Sequence, residues 1–144
     1  MIKIIVVAHG QFSNGILSSL ELIAGKQENV VAIDFLSGMS SDNIRCSLEA
    51  SLEEVEQALI LTDLLGGTPF NVASTFSVNY ADKEIKVLSG LNLAMLMEAV
   101  FSRDICDNLE ELTEKVISSA QKGIVDFSTC IVGDEEDDQF EGGI

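Results

Sequence analysis

His9, the only histidine of the chain, stands between an apolar run, Ile2-Lys3-Ile4-Ile5-Val6-Val7-Ala8, and Gly10. A neutral imidazole is a nucleophile near physiological pH, so a solitary histidine in such a place is a candidate reactive group. A second set of chemistry-bearing residues lies in Asp63-Leu64-Leu65-Gly66-Gly67-Thr68-Pro69-Phe70-Asn71. The paired Gly66 and Gly67 let backbone N–H groups approach an anion, and a helix start just after them supplies free donors and partial positive charge. A carboxylate such as Asp63 can hold an imidazole Nδ1, fix the tautomer and leave the Nε2 lone pair for chemistry. Thr68 offers a hydroxyl, although capping a helix and binding an anion compete for the same oxygen.

Each feature alone also has a plainer reading. A histidine beside a strand can be a structural residue, and a Gly-Gly-Thr-Pro turn can be an ordinary strand-to-helix connection. The turn has no Gly-Lys-Ser/Thr and is not a Walker P-loop. Topology decides whether the pieces meet. If the carboxyl ends of the first and third strands adjoin at the switch point of a doubly wound sheet, His9 and Asp63 share one crevice.

The elements needed for that arrangement are visible. Apolar β-type runs recur at Ile2 to Ala8, Val30 to Leu36, Ala58 to Leu64 and Glu84 to Ser89, separated by segments of helical periodicity. Strands alternating with helices predict βαβ units and a parallel sheet. The first helix carries Phe12, Ile16, Leu20 and Ile23 on a core stripe and stops at Gly25. The second starts at Ser40 or Ser41 and presents Ile44, Leu48, Leu52 and Val55. The third has Thr68 as N-cap and Pro69, the only proline, at its first position. A fourth covers about Asn92 to Ser102, and a fifth starts at Asp107, with Glu110 completing the cap, and buries Leu109, Leu112, Val116 and Ala120. After Gly123, Val125, Phe127, Thr129 and Ile131 alternate with more polar neighbours, the signature of a half-buried strand. The expected fold is therefore α/β: an open doubly wound sheet of four parallel strands with helices on both faces, plus a C-terminal, antiparallel edge strand.

Composition narrows the function classes. A chain of 144 residues, 47% of them hydrophobic, suits one domain with one core, and no apolar stretch approaches the ~20 residues of a membrane span. No basic segment precedes the first strand, so it is not expected to be a signal peptide. Cys46, Cys106 and Cys130 are scattered without disulfide or metal-ligand spacing, as expected of buried thiols in a reducing cytoplasm. One histidine and no clustered cysteines argue against a zinc hydrolase, and neither a metal nor another cofactor is expected. The net charge is −16, of which Asp134, Glu135, Glu136, Asp137, Asp138 and Glu141 contribute six, leaving −10 for the body. Such a field repels nucleic acid and anionic membrane and favours a partner with a basic surface. A domain over residues 1–132 and an acidic, disordered tail over 133–144 is the expected organisation.

Three segments together resemble a known family. The apolar strand into His9-Gly10, the Asp63 to Asn71 segment, and Gly90-Leu91-Asn92-Leu93-Ala94-Met95-Leu96 are similar, in order and spacing, to the enzyme IIA component of the mannose-type phosphotransferase system. The resemblance covers about residues 1–123. It implies that His9 accepts a phosphoryl group from the phosphocarrier protein HPr and passes it to a IIB component during sugar uptake. It also implies that Asp63 orients His9, and that Gly66, Gly67 and Thr68 line the phosphoryl site. A homodimer that exchanges its last strand, about Val125 to Val132, follows from the same resemblance. Leu64-Leu65 replaces a common aromatic, and Ala94 a frequent proline, without removing a chemical group. No IIB segment follows the acidic tail, which suggests a free-standing IIA.

Transfer between proteins needs a docking surface, for which Phe12, Leu64, Leu65 and Phe70 are candidates, with the core as their alternative place. Two rival functions stay open. One is the related phosphocarrier subunit of a dihydroxyacetone kinase system, usually longer. The other is a non-catalytic module whose glycine turn binds a phosphorylated metabolite.

Overall fold

The computed structural model describes residues 1–130. Its elements run β1 (Lys3–His9), α1 (Phe12–Ala24), β2 (Val30–Phe35), α2 (Ser41–Leu52), β3 (Gln57–Thr62), α3 (Thr68–Asn79), β4 (Glu84–Leu88), α4 (Leu93–Ser102), α5 (Leu109–Lys122) and the single turn α6 (Phe127–Cys130). The four strands form one parallel sheet of order β2-β1-β3-β4. The chain thus leaves β1 in one direction for β2 and later returns on the other side for β3, so the switch point lies between β1 and β3.

Alternation along the central strands divides the core. Ile4 and Val6 of β1, with Leu59 and Leu61 of β3, pack on one face against Ile16 and Leu20 of α1, Leu96 of α4 and Leu112 of α5. Ile5 and Val7, with Ala58 and Ile60, pack on the other face against Ile44 and Leu48 of α2 and Phe76 of α3. Because both faces are covered, β1 and β3 read as continuous apolar runs rather than as alternating ones. Each fully buried leucine or isoleucine contributes roughly 1.5–3 kcal/mol relative to exposure.

Helix ends account for most differences from the sequence reading. Gly25 stops α1 as expected, with φ 73° and its N–H donating to the Glu21 carbonyl. Ser40 caps α2, its N–H donating to Asn43 Oδ1 at 2.8 Å. Thr68, however, is not the cap of α3. The Gly67 carbonyl accepts the first intrahelical bond, from Asn71 N–H at 2.9 Å, which makes Gly67 the cap residue. Likewise α5 begins at Leu109 and not at Asp107, because Asn108 Oδ1 accepts the Glu111 N–H and Glu111 reaches back to the Asp107 N–H. Glu110 instead pairs with Lys86 of β4.

The expected C-terminal edge strand is not found among the described residues. Phe127–Cys130 is a helical turn, held by Asp126, which accepts from Ser128 N–H and Oγ while its carbonyl accepts from Thr129. An alternating pattern becomes a strand only when it pairs with an edge, and here Phe127–Cys130 pairs with none and is held by the local bonds of Asp126. Ile131 and Val132, and the acidic tail after them, lie outside the described residues. Cys46 is exposed, and Cys106 and Cys130 are only partly covered, so none is the fully buried thiol expected. No helix among the described residues is long and apolar enough to cross a membrane.

Candidate active site

His9 closes β1 and Asp63 follows β3 by one residue, so the adjacency of these strands at the switch point brings the two side chains together. His9 Nδ1 lies 2.8 Å from Asp63 Oδ2, and the same oxygen accepts the His9 backbone N–H at 3.0 Å. Asp63 Oδ1 accepts the Leu64 N–H at 3.0 Å. Burial works against the ionised carboxylate, but the His9 backbone N–H and ring outweigh it and hold the Asp63 pKa below its ordinary value of 3.8. An ionised carboxylate only accepts, so Nδ1 must carry the hydrogen. In the neutral ring Nε2 then bears the lone pair. The His9 side chain is 43% exposed and the Asp63 side chain 15%, so the ring is open to solvent above a sheltered carboxylate.

Two further contacts fix the imidazole. The Phe35 ring at the end of β2 meets it edge-on, with centroids 5.8 Å apart and planes at 68°. On the opposite strand's side, the start of α3 comes so close that a Cβ on Gly67 would stand 2.8 Å from His9 Cε1 and 3.2 Å from the Leu64 carbonyl. Only a residue without a side chain fits there while the ring stays on Asp63. Phe35 went unnoticed in the sequence; only strand pairing, His9 opposite Phe35, reveals it.

The glycine turn presents the donors. Gly66 has φ 79°, which favours glycine, and its carbonyl accepts from Asn71 Nδ2 at 3.0 Å. The Gly67 N–H closes the turn onto the Leu64 carbonyl at 3.0 Å, so Gly67 contributes close approach and not a free donor. The N–H groups of Gly66, Thr68 and Phe70, and the Thr68 hydroxyl, have no partner among the described residues. Relieved of capping, the Thr68 oxygen has no competing duty. An uncapped helix start beside an imidazole suits an anion, both by its free N–H groups and by its dipole.

The candidate docking residues separate. Leu64 and Leu65 are 60% and 72% exposed on the β3–α3 turn, and Phe12, at the first position of α1, is 44% exposed and not core. Phe70 does not join them. It is partly covered and lines a cleft along the outer edge of β4 with Leu88, Met95, Ile117 and Ile124. Leu36, the residue after Phe35, is 42% exposed. It closed an apolar run in the sequence and so read as strand interior.

A parallel α/β sheet with a histidine–aspartate pair at its switch point, beside an uncapped helix start, defines an α/β protein with a ligand crevice at the carboxyl ends of its central strands. Comparison with known proteins narrows the class. The family model for the EIIA-man family, described as PTS system fructose IIA component, matches residues 3–117. The chain belongs to this family, the IIA components of mannose-type sugar phosphotransferase systems. The crystal structure of the phosphotransferase system component EIIA from Streptococcus agalactiae superposes with a TM-score of 0.88 at 63% identity, over 90% of this chain and 100% of that one. The fructose-specific EIIA component of Bacillus subtilis (strain 168) is 25% identical over 147 residues, which cover 96% of this chain and 99% of that protein. The mannose-specific EIIAB component of Escherichia coli (strain K12) is 33% identical over 127 residues, 85% of this chain but 38% of that relative's length.

Proposed function

We propose that this chain is a phosphocarrier of a sugar-uptake phosphotransferase system: His9 takes a phosphoryl group from phospho-HPr and passes it to a cognate IIB component. The observation that carries the reading is the Asp63 contact at His9 Nδ1, which leaves Nε2 as the attacking atom. In the first transfer the P–N bond to the HPr imidazole breaks, its electron pair returns to that ring, and a P–N bond forms at Nε2 of His9. The Nδ1 hydrogen stays between ring and carboxylate, where Asp63 offsets the positive charge of the phosphorylated ring. Transfer in the other direction, to IIB, reverses these roles. Such displacements need positioning and charge stabilisation rather than acid–base chemistry. The Gly66, Thr68 and Phe70 N–H groups and the Thr68 hydroxyl would hold the phosphoryl oxygens. Phe12, Leu36, Leu64 and Leu65 would meet the partner proteins, and the acidic body would favour a partner with basic residues around its own site.

A homodimer that exchanges its C-terminal segment belongs to the same proposal. The outer edge of β4 is unpaired among the described residues, and Ile124 and Val125, 78% and 58% exposed, lead away beside the cleft at that edge. A strand from a second copy would cover both. A monomer mass in sedimentation at micromolar concentration contradicts this part. The work of such a carrier lies in the cytoplasm, where HPr and IIB are met.

Labelling tests the main claim. Incubated with radiolabelled phospho-HPr, the wild-type chain is expected to take up label stoichiometrically, released by mild acid and stable in alkali. His9→Ala is expected to stay folded and unlabelled. Label persisting in that variant, or metabolite binding without any labelling of the wild type, contradicts the proposal.

A further inference from the structure

Asp34 is the penultimate residue of β2, opposite Ala8 of β1, and its carboxylate reaches across to the first turn of α1. Oδ1 accepts the Ser13 hydroxyl and, at 3.3 Å, the Asn14 backbone N–H, while Oδ2 accepts Asn14 Nδ2 at 2.7 Å. Ser13 is fully buried, an uncommon place for a hydroxyl unless its bond is needed. Helix α1 supplies no side-chain cap of its own, since Gln11 at the cap position makes no such bond. Asp34 therefore caps α1 from a neighbouring strand.

The consequence falls on His9. Only Gly10 and Gln11 separate it from α1, and the Gly10 N–H donates to the carbonyl of Phe35, the residue after Asp34. Phe35 in turn holds the edge of the His9 ring. One two-residue stretch of β2, Asp34-Phe35, thus fixes the connection beyond His9, its backbone and its ring. Burial disfavours the Asp34 carboxylate, but the bonds from Ser13 and Asn14 prevail and keep its pKa below the ordinary 3.8.

We propose that Asp34 is a positioning residue for His9: by capping α1 in place of any residue of α1, it fixes the His9-Gly10-Gln11 connection so that the imidazole keeps Nδ1 on Asp63. It touches neither the ring nor an incoming phosphoryl group. The rate effect of this role rests on the phosphocarrier reading, whereas its effect on the ring does not.

His9 is the only histidine, so a long-range ¹H–¹⁵N correlation spectrum reports its tautomer without interference. The wild type is expected to show the Nδ1–H tautomer almost alone. In Asp34→Ala the ring is expected to become a tautomer mixture, and transfer from phospho-HPr to slow about tenfold or more, with KM for phospho-HPr changed less than about twofold. Asn14→Ala, an exposed change that spares the fold, removes one of the bonds and is expected to give a smaller shift of the same sign. It decides the matter should Asp34→Ala fail to fold. A tautomer ratio unchanged in the folded variants overturns the proposal, as does a slowing expressed only in KM. If the wild type is never labelled, the phosphocarrier reading fails while the tautomer ratio still decides the role of Asp34.

Discussion

Two helices begin within reach of His9, and their starts are built in opposite ways. At α1 a carboxylate from β2 accepts the Asn14 N–H and the Ser13 hydroxyl, so a negative charge already sits at the positive end of the helix. At α3 the cap is Gly67, no side chain bonds the first turn, and the Thr68 and Phe70 N–H groups point at no partner among the described residues. Since an anion is attracted to orphan N–H groups and repelled by a carboxylate, the α3 start suits an anion and the α1 start does not. Capping therefore settles two matters together. It anchors the backbone on one side of the histidine and leaves electrostatic attraction on the other.

The contrast can be broken from the α3 side first. Asp63→Asn retains shape but replaces an obligate acceptor by an amide that can donate, so the ring is free to carry its hydrogen on Nε2. Transfer from phospho-HPr is expected to fall by an order of 10² or more while the thermal unfolding curve stays close to wild type. A rate within twofold of wild type removes Asp63 from the mechanism. Gly67→Ala should act more mildly. The added methyl would stand 2.8 Å from His9 Cε1, and the ring, as the movable partner, must swing from Asp63. About a tenfold slowing is expected, together with a mixed tautomer signal; a full rate would mean that the close approach is not needed.

The smallest effect is a pH dependence that sharpens the difference. Asp34 has its pKa depressed in the folded chain, so the stabilisation it gives α1 is complete above about 3.8 and is lost as pH falls through the lower folded value. Start α3 has no carboxylate cap to lose. The protection factor of the Asn14 amide in α1 is expected to drop several-fold between pH 5 and the acid limit of the folded state, with that of Asn71, the first bonded amide of α3, flat across the same range. An equal drop in both helices contradicts an α1-specific cap.

How much of this was readable beforehand follows from where each bond comes from. The four parallel strands were legible because β1 and β3 are covered on both faces and therefore written as unbroken apolar runs. The pairing of His9 with Asp63 followed from strand order alone, since each closes or follows a central strand. Asp34 was silent: an acid near a strand end resembles any solvated terminus, and its meaning comes from lying opposite Ala8, beside α1. Phe12 had two readings, core stripe and docking surface, and its exposure fits the second, because the first residue of a helix projects beyond the core the later turns cover. The donors of the glycine turn were foreseen, but not that the Gly67 N–H would be spent inside the turn, a detail of loop closure that composition does not encode. From Val125 onward the alternating pattern has no strand partner among the described residues, and the local bonds of one aspartate, Asp126, hold Phe127–Cys130 in a helical turn.

The central claim is that the reactive atom is Nε2 of His9, with Nδ1 held by Asp63. Phosphorylating ¹⁵N-histidine-labelled protein with phospho-HPr and recording ³¹P–¹⁵N coupling reads the bonded nitrogen directly. A phosphoramidate signal coupled to Nε2 alone is the expected result; coupling to Nδ1, or a phosphoryl group with no coupling to histidine nitrogen, would contradict the account.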